Sequence, residues 1–134
     1  MSYMLDTCIL IHIIRDQNLN IIEMMRRKTP GEICVSSVTV AEMEYGAAKS
    51  SKVDDNRDAL YQFLSPLVIL PFDQKAAYEY GLVRSHLERK GMVIGSMDMM
   101  IAAHARSIPA VIVTDNVREF TRVPDLSVEN WLRP

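Results

Sequence analysis

The chain has 134 residues, 49% of them hydrophobic and 24% charged, enough apolar material for one sizeable domain and too much for a disordered chain. Fifteen Lys and Arg against seventeen Asp and Glu leave a net charge of −2, which speaks against holding nucleic acid by bulk neutralisation of phosphate. A chain this long buries roughly two-thirds of its unfolded surface on folding, so no metal or disulfide staple is needed for stability. Cys8 and Cys34 form no C-x-x-C pair, and with His12, His86 and His104 they make no zinc spacing. They read as buried, reduced thiols. The first apolar run, Met4 to Ile14, is broken by Asp6 and His12 and lacks a basic leader. It is neither a signal peptide nor a membrane span, and the expected location is the cytoplasm.

Short apolar runs alternate with segments of helical period along the chain. Tyr3-Met4-Leu5 reads as a buried strand ending at Asp6. Ile9 to Ile14 and Ile21 to Met25 place apolar residues at helical spacing, with Arg26-Arg27-Lys28 in a last turn and Pro30-Gly31 as the turn beyond. Ile33 to Ser36 predicts a second strand, Val38 to Ala48 a helix carrying Glu42, and Asp54 to Leu64 another helix stopped at Pro66. Leu67 to Leu70, closed by Pro71, is a third strand. The second half repeats the pattern: a long helix over Asp73 to Lys90 ended by Gly91, a helix over Met97 to Ser107, a valine-rich strand over Ala110 to Thr114, and a candidate fifth strand at Ser127-Val128. Strands separated by helices imply right-handed crossovers and a parallel sheet covered on both faces. No repeat or linker divides the chain, so residues 1–134 are expected to form a single domain.

In such sheets ligands bind beyond the carboxyl ends of the strands, where the connection direction switches. The residues that follow the strands are Asp6; Ser36-Ser37 leading to Glu42; and Thr114-Asp115-Asn116 leading to Glu119. Each acid has a structural explanation of its own. Asp6 suits a helix N-cap. Thr39-Val40-Ala41-Glu42 matches a capping box, although a helix capped earlier, by Ser36 or Ser37, would place Glu42 in its interior. Asp98 falls in a helix first turn, where the macrodipole favours an anion, ahead of the almost wholly apolar run Met99 to Ala103. Asp115-Asn116 is ordinary turn chemistry. Their combination is what points to function. Acids after separate strands of one parallel sheet converge on one edge, where like carboxylates repel unless a divalent cation neutralises them. An all-oxygen donor set suits Mg²⁺ or Mn²⁺. His104 reads as a packed, satisfied histidine and the methionines around it as core.

Four fragments carry a resemblance: Met-Leu-Asp-Thr at 4–7, Ser-Ser-Val-Thr-Val-Ala-Glu-Met-Glu-Tyr-Gly at 36–46, Ile-Gly-Ser-Met-Asp-Met-Met-Ile-Ala-Ala-His-Ala at 94–105, and Val-Thr-Asp-Asn-Val-Arg-Glu-Phe-Thr-Arg-Val-Pro at 113–124, followed by Val-Glu-Asn-Trp at 128–131. Together they resemble the PIN-domain ribonucleases, and among them the VapC toxins of toxin–antitoxin pairs. The resemblance implies an α/β fold, a three-layer α/β/α domain with a central parallel sheet of four to five strands. It also implies a Mg²⁺-dependent endoribonuclease, in which Mn²⁺ can substitute, with Asp6, Glu42, Asp98 and Asp115 as catalytic acids. Asp6 and Asp98 would be the direct metal ligands, and the fourth ligand stays open among Asp115, Asn116 and Glu119. Cys8 stands where Asn often follows Asp-Thr. The implied substrate is structured RNA, with tRNA favoured, aided by Lys49, Lys52, Arg84, Arg89, Lys90, Arg118 and Arg122. The implied partners are a VapB-type antitoxin and a second toxin subunit. Two other readings remain: a non-catalytic RNA-binding protein whose acids only cap helices, and a PIN nuclease without an antitoxin.

Overall fold

The computed structural model describes residues 1–29 and 31–132; the turn expected at Pro30-Gly31 lies partly outside the described residues. Five short strands form one sheet: β1 (Tyr3–Leu5), β2 (Ile33–Ser36), β3 (Val68–Leu70), β4 (Val111–Val113) and β5 (Val128–Glu129). Their order is β3-β2-β1-β4-β5, and every neighbouring pair is parallel. Among the described residues seven helices connect or follow them: α1 (Thr7–Ile14), α2 (Leu19–Arg26), α3 (Ser37–Ala48), α4 (Val53–Leu64), α5 (Gln74–Arg89), α6 (Ser96–Ser107) and α7 (Val117–Phe120).

Alternation along the strands makes the three layers. Met4, Cys34 and Ile112 turn to one face and pack with Val83 and Leu87 of α5 and Met99, Ile101 and Ala102 of α6. Their chain neighbours Leu5, Ile33, Val35 and Val113 turn to the other and pack with Ile9, Leu10 and Ile13 of α1, Ile21 of α2, and Leu60 and Leu64 of α4. A sheet buried on both faces needs strands without polar interruption, and β1, β2 and β4 have none before their carboxyl ends. Trp131 lies beneath the second layer, 1% exposed and tilted against Tyr3.

The strand order places the crevice. From β1 the chain steps outward to β2 and β3, then crosses back to add β4 and β5 on the other side of β1. The switch therefore falls between β1 and β4, whose residues pair as Tyr3↔Val111, Met4↔Ile112 and Leu5↔Val113. Asp6 and Thr114, the next residues of each strand, emerge side by side, and the Asp6 amide still donates to the Val113 carbonyl at 3.1 Å.

The element boundaries follow cap chemistry. Asp6 caps α1, which starts at Thr7 and not at Ile9, by accepting from the Ile9 amide at 3.1 Å. Asp73 caps α5 in the same way, and Gly91 stops that helix at φ 64°, a conformation glycine adopts without strain. Ser36 caps α3, its Oγ accepting from the Val38 amide at 3.1 Å, so the capping box at Thr39 does not form and Glu42 lies inside the helix. Ser36 Oγ also shares a 2.8 Å hydrogen bond with Nδ1 of His104, which is 2% exposed on α6. This contact joins the two helices that carry Glu42 and Asp98. Ser36→Ala removes the cap and leaves a buried imidazole nitrogen unpaired. It should cost about 2–3 kcal/mol in urea denaturation, whereas Ser85→Ala on the exposed face of α5 should stay within about 0.5 kcal/mol.

Candidate functional site

Asp6 is 3% exposed, with apolar neighbours before and after it in the chain. Its Oδ1 accepts from the Ile9 amide and, at 3.0 Å, from the Cys8 thiol, and the Thr114 hydroxyl supports it from the end of β4. Burial nevertheless dominates these bonds, and the Asp6 carboxyl is held above its ordinary value. The Cys8 thiol is pushed up to about 12, first by burial and then by the charge of Asp6. It therefore stays protonated and able to donate. Its sulfur also accepts from the Asp115 amide at 3.5 Å, so Cys8 bridges the loops after β1 and β4. Cys34 is buried as expected, while Cys8 is only partly so.

Glu42 comes to the site from α3. Its Oε1 accepts a 2.6 Å hydrogen bond from Thr7 Oγ1, the first residue of α1. Thr7 is a site residue that helix patterning did not single out; the signal was a hydroxyl placed directly after a strand-end Asp. Asp98 lies in the first turn of α6, with its carboxylate folded toward Gly95, where a Cβ would stand 3.6 Å from Oδ2. Its carboxyl is pushed up to about 6, first by burial and then by the charges of Asp6, Glu42 and Glu119. Four acids from four separate segments thus share one field.

The segment after β4 divides its acids. Asp115 is exposed, and its Oδ1 accepts from Asn130 Nδ2 at 3.1 Å. Asn116 is half-buried and begins α7, donating its amide to Thr114 Oγ1 at 2.9 Å. Glu119, one turn further on α7, is the acid of this segment whose charge reaches Asp98. Of the basic residues named from the sequence, Arg118 is exposed on the same helix, and Arg122 just beyond it bonds the carbonyls of Met92 and Val93. Arg84 is engaged with Tyr80 and Glu88 on α5, and Lys49 lies over the Tyr45 ring. Lys52, Arg89 and Lys90 are exposed.

A groove of about 360 Å³ opens beside Glu42, lined among others by Thr7, Ile11, Arg15, Met43 and Leu60. Among the described residues, no group of three or more His, Cys, Asp or Glu side chains is arranged to hold a metal ion as it stands. The fit to a cation is therefore one of donor chemistry: carboxylates only, converging, one of them raised first by burial and then by its like-charged neighbours. That set suits a hard divalent ion and not zinc. Among the described residues no helix is long and apolar enough to cross a membrane.

The raised carboxyls have a consequence for stability in metal-free protein. A folded-state value near 6 against an ordinary 3.8 means that the native state binds the Asp98 proton more tightly than the unfolded chain does. The contribution of Asp98 to stability is therefore fully present at low pH and is lost as pH rises through that window. Asp6 acts in the same direction. In EDTA, Asp98→Asn should unfold at higher urea than wild type at about pH 8, and the difference should shrink at about pH 4. An equal gap at both would contradict the assignment.

Comparison with known proteins places the fold. A family model described as PIN domain matches residues 3–126. The chain is 42% identical over 134 residues to "Ribonuclease VapC2" of Rickettsia felis, covering 98% of each. It is 40% identical over 131 residues to "tRNA(fMet)-specific endonuclease VapC" of Salmonella typhimurium, again covering 98% of each. Its fold superposes with a TM-score of 0.94 on a chain of the DNA-bound VapBC complex from Salmonella typhimurium, at 40% identity and 98% coverage of both.

Proposed function

Since the chain belongs to the PIN-domain family, among its VapC ribonucleases, we propose that it is a toxin endoribonuclease that hydrolyses RNA with Mg²⁺ held by Asp6 and Asp98. The observation that carries this is the gathering of Asp6, Glu42, Asp98 and Glu119 at the switch between β1 and β4, where burial first and then the charges of the other three raise the Asp98 carboxyl. An anion cluster gathered at a strand-switch crevice costs stability in the free protein and suits a cation that brings phosphate to it.

The bound ion supplies Lewis-acid polarisation of the scissile phosphate and a more acidic water. The chain's own residues do the rest. Asp6 is fixed by Ile9, Cys8 and Thr114, so its free oxygen points in one direction. Glu42, held by Thr7 on one oxygen, keeps a lone pair of the other for a proton of the attacking water. Glu119 takes the fourth acidic position, in preference to Asp115, whose carboxylate is engaged by Asn130. Arg118, exposed on α7 beside Glu119, is the cation of this side available to a polyanion, while Arg122 is engaged with the carbonyls of Met92 and Val93.

A VapB-type antitoxin is the proposed partner, and a second toxin subunit completes a hetero-oligomer. The groove beside Glu42 is largely apolar, with an acid at one end. It suits a partner segment with apolar anchors and an Arg or Lys that pairs with the carboxylates. The name of the Salmonella relative, a tRNA(fMet)-specific endonuclease, favours tRNA as substrate.

The test is cleavage by antitoxin-free protein on total RNA and on tRNA. Cleavage should require Mg²⁺ or Mn²⁺, and Asp6→Asn, Glu42→Gln and Asp98→Asn should each lower kcat by roughly a thousandfold or more with the fold intact. Asp115→Asn should retain most activity while Glu119→Gln does not. Activity that persists in EDTA would refute the reading.

A further inference from the structure

Thr39 is fully buried, and its Oγ1 is, among the described residues, the one buried side-chain nitrogen or oxygen without a hydrogen-bond partner. A hydroxyl sealed from water without a partner costs roughly 1–3 kcal/mol. Valine has the same shape and would avoid that cost. A helical threonine can also bond a carbonyl one turn back, which Thr39 does not do. An unpaired group of this kind calls for an explanation.

Its position on α3 gives one. Val38 packs into the core on the α6 side, and Met43 packs against the core on the α1 side. Thr39 and Glu42, three residues apart, form the row between these two contacts and so face the seam where α1, α3 and α6 meet. One turn before Thr39, Ser36 bonds His104 of α6; one turn after it, Glu42 bonds Thr7 of α1. Thr7 occupies Oε1 of Glu42 and leaves Oε2 free of any side-chain donor among the described residues.

We propose that Thr39 is a positioning residue for the acidic site: its hydroxyl is the donor kept for the second oxygen of Glu42 and would support that carboxylate when a divalent cation is bound by the acids. This rests on the cation-dependent reading above. In the free protein the hydroxyl waits unpaired at a cost in stability; in the loaded protein Thr7 and Thr39 hold Glu42 by both oxygens. A carboxylate fixed in this way adds its charge to the field of the ion that Asp6 and Asp98 would ligate, and loss of a contact supporting such a site typically costs roughly ten- to a hundredfold in metal affinity or activity.

Thr39→Val and Thr39→Ser separate this from a packing role, with Mn²⁺ as the probe. In EDTA, Thr39→Val should melt at or above the wild-type temperature. In calorimetry it should bind Mn²⁺ roughly tenfold or more weakly, and in cleavage kcat should fall while KM for RNA stays near wild type. Thr39→Ser should recover Mn²⁺ affinity and kcat. Wild-type Mn²⁺ affinity in Thr39→Val would overturn the proposal, and so would a lower melting temperature in EDTA, since the hydroxyl would then have a partner in the free protein. Asp98→Asn measured alongside keeps the two levels apart. If it binds Mn²⁺ like wild type, the cation site itself is wrong. If it loses Mn²⁺ while Thr39→Val does not, only the role of Thr39 fails.

Discussion

Like-charged carboxylates brought to one end of a parallel sheet repel one another, and much of the polar architecture of this molecule serves to hold them there. Asp6 receives an amide, a thiol and a hydroxyl. Glu42 receives the hydroxyl of Thr7, and the helices bearing Glu42 and Asp98 are tied by the buried Ser36–His104 contact. These bonds offset only part of the cost, because Asp6 and Asp98 both remain harder to ionise than free aspartates. The strain is concentrated where the strand order reverses, the place where an open α/β sheet offers a crevice. Stability given up at a site of this kind is a common signature of function.

Much of this was legible in the chain itself. Apolar runs three to four residues long, separated by helical periods, are enough to specify parallel strands covered on both faces, and the acids directly after them could be assigned to one edge. The fifth strand was visible only as a hint, because two residues carry almost no periodic signal. Helix α7 went unseen for the same reason: four residues complete barely one turn. That omission matters at the site, since the choice between Asp115 and Glu119 depends on α7. Only a helical turn after Asn116 brings Glu119 toward Asp98 while Asn130 draws Asp115 away. Glu42 shows a different limit. In sequence the capping box at Thr39 reads better than a start at Ser36 or Ser37, and the buried histidine 68 residues downstream, in contact with Ser36, decides for the earlier cap. Thr39, freed from capping, becomes a buried hydroxyl, and burial is a tertiary property that no local pattern reports.

Cys8 joins the two loops that border the crevice: its thiol reaches both Asp6 and the Asp115 amide. Surrounded by apolar groups and a carboxylate, it stays protonated and serves as a weak donor. The mild net acidity of the chain has a related explanation. Several of its acids are gathered in one crevice, where a divalent cation would reverse the local charge that phosphate meets.

The claim on which the account depends is that these acids form one cation site. Calorimetric titration of the antitoxin-free protein with Mn²⁺, repeated in buffers of different ionisation enthalpy, tests it most directly. Near pH 6 Asp98 is about half protonated, so binding should release a substantial fraction of a proton per ion, and near pH 8 the release should vanish. Absence of saturable Mn²⁺ binding, or proton release that is the same at both pH values, would contradict it.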